Sequence, residues 1–72
     1  MKKLILNRDI YSNYSIEKTM QAYRNHAVMT VYYDACYATV SFLQCKYDSD
    51  QTIKEFENYM IGVENAKHGV SV

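Results

Sequence analysis

The chain has no proline and no tryptophan, and only two glycines and two cysteines in 72 residues. Both glycines, Gly62 and Gly69, lie near the C-terminus. The whole preceding segment is therefore free for regular structure, and no Pro/Gly-rich linker divides it. Two cysteines are too few for the disulfide framework of a small secreted domain. Charge of one sign is missing too: eight Lys/Arg balance eight Asp/Glu. That balance argues against a protein that grips nucleic acid through its phosphates. Long apolar runs are absent. Leu4-Ile5-Leu6 follows Lys2-Lys3, but a signal-peptide core needs about 7–15 apolar residues. Nothing approaches the roughly 20 apolar residues of a membrane span. The expected location is the cytoplasm, with no membrane partner.

What is present is a folding composition. Apolar residues make up 49% of the chain and charged ones 22%, which excludes a disordered chain. The length allows one domain. A domain of this size buries only roughly 60% of its unfolded surface, so alone it is marginal.

Residues 3–7 read as a short strand. Asp9 to Ser15 is rich in Asp, Asn and Ser, with Ser15 as the expected N-cap of a helix. Ile16, Met20, Tyr23 and Ala27 recur as one helical stripe, ending near Asn25-His26. Val28 to Tyr33 is β-branched and aromatic, and reads as a strand. Asp34-Ala35 makes the turn, and residues 36–47 form the next strand. Its face bearing Cys36, Ala38, Val40 and Phe42 is the better core candidate. Tyr37, Thr39, Ser41 and Leu43 occupy the other. Asp48-Ser49-Asp50 is a turn and cap cluster, and Thr52 to Glu55 fits a capping box. Ile53, Phe56, Tyr59 or Met60, and Val63 then mark a second helix. Gly62 either sits inside that helix at a cost of about 1 kcal/mol relative to Ala, or marks the helix's end or a close contact.

The expected fold is α+β, a two-layer β-α-β-β-α sandwich. A three-stranded sheet carries both helices on one face, leaving the other face and at least one strand edge uncovered. Residues 1–64 form the domain, and 65–72 read as a frayed tail.

Catalytic chemistry finds little footing. Cys36 or Cys45 with His26 is the available nucleophile–base pairing, and no third residue orients it. The cysteines have an odd separation along one strand, which points them to opposite faces and argues against a bridge. His26 and His68 have no clustered spacing with them, so no metal site is expected. Glu55 and Glu57 are two apart, and such residues do not face each other on a helix. No Gly-rich phosphate loop is present. The chain reads as non-catalytic, with no cofactor.

The tyrosines are distinctive. Tyr32, Tyr33, Tyr37 and Tyr47 fall in or beside the hairpin. One reading is half-buried strand residues. The other is an exposed aromatic face or edge that meets a second copy of the chain or an extended peptide. Aromatic strands also bind single-stranded nucleic acid in several folds, but only Arg24 and Lys46 supply charge nearby.

Three segments together resemble the HxsD family, small proteins associated with His-Xaa-Ser peptide systems. They are Tyr14-Ser15-Ile16-Glu17-Lys18-Thr19-Met20-Gln21-Ala22-Tyr23, the strand pair 28–33 and 36–46, and Glu55-Phe56-Glu57-Asn58-Tyr59-Met60-Ile61. The resemblance covers residues 10–62. After the Asn-Tyr pair this chain has Ile61-Gly62-Val63, where family members usually carry Leu-Arg-type residues. The resemblance implies an accessory role in making a modified peptide, beside radical S-adenosylmethionine enzymes and a short precursor. Asn58 and Tyr59 carry over as interaction residues. Tyr32, Tyr33 and Tyr37 join them from the hairpin. The expected function is a non-catalytic adaptor binding such an enzyme or precursor, with homodimerisation expected from the uncovered face. Two other classes stand beside it. One is a free-standing homodimeric regulatory domain, with nucleic acid among its ligand classes. The other is a thiol enzyme using Cys36 or Cys45.

Overall fold

The computed structural model describes residues 2–67. The elements run β1 (Lys2–Asn7), α1 (Asn13–Tyr23), β2 (Ala27–Tyr33), β3 (Tyr37–Cys45) and α2 (Ser49–Lys67). The α+β fold is the one the sequence predicts. β3 is the central strand, and β1 and β2 pair with it antiparallel on either side. β1 and β2 are therefore the two edges.

Alternation decides which face is buried. Leu6, Ala27, Ala38, Val40 and Phe42 point inward and meet Ile16 of α1 and Phe56 and Met60 of α2. Both helices thus lie on one sheet face. The Phe42 and Phe56 rings meet edge-on at 5.3 Å, at the centre of this core. Met29, Val31 and Tyr33 pack around it from β2.

α1 begins earlier than expected. Ser12, not Ser15, is its N-cap, and the Ser12 hydroxyl accepts the Ser15 N–H at 3.2 Å. Ser15 is fully buried inside the first turn. The helix stops at Tyr23, where His26 N–H donates to the Tyr23 carbonyl at 2.8 Å. Ala27 consequently belongs to β2 and not to the helical stripe.

The cap of α2 is also displaced. Asp48 Oδ2 accepts the Gln51 N–H at 2.9 Å. Thr52 lies inside the helix, buried, with its hydroxyl donating to the Asp48 carbonyl. The expected capping box is therefore not the one used. α2 passes through Gly62 and continues to Lys67, beyond the expected domain end at residue 64. A Cβ at Gly62 would meet nothing within 4 Å, so this glycine neither ends the helix nor makes a close contact. The rest of the expected tail, residues 68–72, lies outside the described residues.

β3 is shorter than the expected 36–47 and contains an irregularity. Val28 pairs with Gln44 while Met29 pairs with Phe42, leaving Leu43 as an extra residue, a β-bulge. The bulge reverses the alternation beyond it. Cys45 lies opposite Ala27 and packs on the core side with Phe42. The odd Cys36–Cys45 separation therefore does not place the two on opposite sheet faces. Cys36 is in the hairpin loop and exposed, and Cys45 is half-buried.

The hairpin loop is built on Asp34. Its Oδ1 accepts the N–H groups of Cys36 at 2.8 Å and Tyr37 at 2.7 Å. These bonds hold the Asp34 carboxyl below its ordinary range, the Tyr37 N–H contributing most. Arg8, just after β1, donates to the Asp34 carbonyl and lies 5.2 Å over the Tyr33 ring.

Candidate interaction surfaces

The sheet face away from the helices is the largest departure from ordinary burial. Lys3, Ile5, Thr30, Tyr32, Tyr37, Thr39, Ser41 and Leu43 share it by alternation, with Val28 beside the bulge. Ile5 and Tyr32 are 66% and 70% exposed, so nothing among the described residues covers them. Val28, Tyr37 and Leu43 are exposed as well. Tyr32 lies opposite Thr39, and Thr39 lies opposite Ile5, so one row crosses all three strands. Tyr37 is two residues from Thr39, which makes it a diagonal neighbour of Tyr32. Lys3 is the charged residue of this set.

The hairpin tyrosines are not one cluster. Tyr32 and Tyr37 lie on the open face. Tyr33 points the other way, packs against the core, and donates its hydroxyl to Glu17 Oε2 at 3.2 Å. Its hydroxyl is harder to ionise than usual, because burial and the Glu17 charge both oppose phenolate. Tyr47 follows β3 and belongs to a different surface.

Asn58 and Tyr59 lie on α2, away from the open sheet face. Asn58 is exposed. Tyr59 packs edge-on against Tyr23 at 5.7 Å and remains 41% exposed. With Tyr14, Lys18, Gly62, Val63 and Ala66 it lines a shallow apolar groove of about 650 Å³ between the helices. The missing side chain at Gly62 helps open that groove.

A second depression lies between the end of α1 and the start of α2. Tyr23, His26, Tyr47, Asp48, Gln51, Thr52 and Glu55 line about 470 Å³. His26 packs against Tyr23 at 5.3 Å and against Tyr47 at 5.8 Å, joining three rings into one wall. Burial, and then the Glu55 charge, push the Tyr23 hydroxyl above its ordinary pKa.

Cys36 and His26 are not brought together, whereas Cys45 lies at the His26 end of β3 and lines a small depression with it. Cys36 sits at the hairpin end of β3, and His26 bonds through its carbonyl to Lys46 at the other end. The His26 ring is engaged with two tyrosines.

Sequence reasoning singles out Tyr32 and Tyr37 but not Ile5, Val28 or Leu43. Ile5 was legible as the middle of three aliphatics in a strand whose neighbours both face the core. Leu43 was legible beside Tyr37 on β3, and Val28 beside Tyr32 on β2, by the same alternation; the bulge next to them leaves no local sequence mark. The wall of Tyr23, His26 and Tyr47 joins residues from the end of α1 and from the loop before α2, and no spacing rule unites them. Among the described residues, no helix is long and apolar enough to cross a membrane. No family model, curated protein or solved structure matches the chain.

Proposed function

We propose that this chain is a non-catalytic accessory module that binds a partner protein or precursor peptide in a radical S-adenosylmethionine-associated peptide-maturation system. The observation that carries the binding role is the open sheet face. It presents Ile5, Val28, Tyr32, Tyr37 and Leu43 to solvent on rigid strands. Three strands about 4.8 Å apart, the longest of nine residues, span a few hundred Å². Exposed apolar patches of that size are often functional. Tyrosines beside aliphatics, ringed by Thr and Ser hydroxyls, suit the partly wet centre of an interface. The maturation setting rests on the resemblance of residues 10–62 to the HxsD family.

A second copy of the chain is the alternative occupant. The face carries few charges to repel a copy of itself, and a domain this small gains core by pairing. The same experiment separates the two. Tagged wild-type chain and a Tyr32→Ser/Tyr37→Ser variant are used as bait in the native organism. Bound proteins are identified by mass spectrometry, and the mass of each purified chain is measured in solution. The adaptor reading expects an iron–sulfur radical enzyme or a short precursor with the wild type and not with the variant. A wild-type dimer that the variant abolishes, with no such partner recovered, selects the homodimer. A monomer that retains the same partners with the variant removes the open face from the function.

A further inference from the structure

The depression between the end of α1 and the start of α2 combines two features that attract the same chemistry. Its wall is aromatic, made of Tyr23, His26 and Tyr47. Its rim carries the carboxylates of Asp48 and Glu55, while the charged residues lining it include neither lysine nor arginine. Each carboxylate uses one oxygen within α2. Asp48 Oδ2 caps the Gln51 N–H, and Glu55 Oε2 accepts from Gln51 Nε2 at 3.2 Å. The other oxygen of each accepts no hydrogen bond among the described residues. The Tyr47 ring already receives a cation: the Lys46 ammonium lies 5.6 Å from its centroid. That lysine approaches from outside the cleft lining.

We infer that this cleft binds a guanidinium group, stacked on the aromatic wall and forked to the Asp48 and Glu55 carboxylates. A guanidinium fits better than an ammonium for two reasons. Its flat face lies on aromatic rings, and its several N–H donors can reach two carboxylates at once. The volume of about 470 Å³ admits the group together with the aliphatic stem behind it. An arginine side chain and a free guanidine compound share this chemistry. The inference does not depend on the open sheet face, which lies on the other layer of the sandwich, so either can fail alone.

The test is a titration of the full chain followed by NMR at the resonances of Tyr23, His26 and Tyr47. The probes are N-acetyl-arginine amide, its uncharged citrulline isostere, free agmatine and an Ala-Arg-Ala tripeptide blocked at both ends. Saturable shifts are expected with the three guanidinium compounds and not with citrulline. Tighter binding of the tripeptide assigns the site to a peptide arginine, and equal binding assigns it to a free guanidine compound. Tyr47→Ala should weaken binding about two- to fivefold, the usual reach of an exposed cation–π contact. Glu55→Gln, which keeps a partner for Gln51, should weaken it by a similar factor. Lys46→Gln, which removes a competing cation from the same ring, should tighten it. Equal shifts with citrulline and arginine would overturn the inference. So would affinities unchanged in both Glu55→Gln and Lys46→Gln.

Discussion

Glu64, near the end of α2, accepts both the backbone N–H and the hydroxyl of Ser12 at 3.3 Å, across 52 positions of sequence. The Ser15 hydroxyl donates to the same carboxylate oxygen. α1 has no acidic residue of its own in its first turn. Glu64 therefore supplies from another helix the negative charge and the acceptor that a helix N-terminus favours. This contact also fixes the antiparallel docking of α2 on α1, whose other end meets α2 where Tyr23 touches Phe56.

Glu64→Ala should consequently cost about 1–2 kcal/mol, the scale of a lost helix cap plus bonds to a charged acceptor. Glu64→Gln keeps an acceptor and should cost less. Urea unfolding midpoints of the two variants check this. Equal midpoints for Glu64→Ala and the wild type would show that the cross-helix cap contributes nothing.

Core and open-face aromatics should separate cleanly. Phe56 is fully buried against Phe42, so Phe56→Ala should cost about 3–5 kcal/mol. That is of the order of the whole stability of so small a domain, and circular dichroism should show a largely unfolded chain. Tyr32→Ser changes an exposed side chain and should stay within about 0.5 kcal/mol of the wild type. Its effect should appear in association, as a loss of more than about 1 kcal/mol. A Tyr32→Ser chain that unfolds would show that the ring supports the fold.

Gly62 sits inside α2 with open space where a Cβ would go. Gly62→Ala should raise stability by up to about 1 kcal/mol, the helix-propensity difference. A higher thermal midpoint is the expected outcome. A lower one would indicate that the groove floor at Gly62 must stay open for the helix to pack.

The hairpin loop should be acid-sensitive, with a definite sign. The folded pKa of Asp34 is depressed by its bonds from Tyr37 and Cys36. Its contribution is present above the ordinary carboxylate range, about pH 3.9, and is lost as pH falls through the lower folded value. Amide signals of Cys36 and Tyr37 should hold their positions down to that range and shift below it. Asp34→Ala should produce the shifted signals already at neutral pH. An acid titration that leaves both amides unmoved would contradict the Asp34 turn.

Sequence by itself determined the element order and most of the core. Ala38, Val40 and Phe42 alternate on β3, and Ile53, Phe56 and Met60 recur at helical spacing on α2. Side-chain periods of 2 and 3.6 residues express burial directly, so those residues were legible. Tertiary structure alone decided the rest. Ser15 reads as the local cap, yet Ser12 caps α1 and Ser15 is buried in its first turn, both serines bonding the Glu64 carboxylate brought in by α2. The bulge at Leu43 turns Cys45 to the core side, because one extra residue reverses the alternation. Tyr32 and Tyr33 are chemically the same, and their single step along β2 sends one to solvent and the other to the core. Gly62 left open whether α2 ends there or continues, and the helix continues through it to Lys67. Local pattern records what a residue can do. Which alternative prevails depends on energies shared with segments tens of residues away.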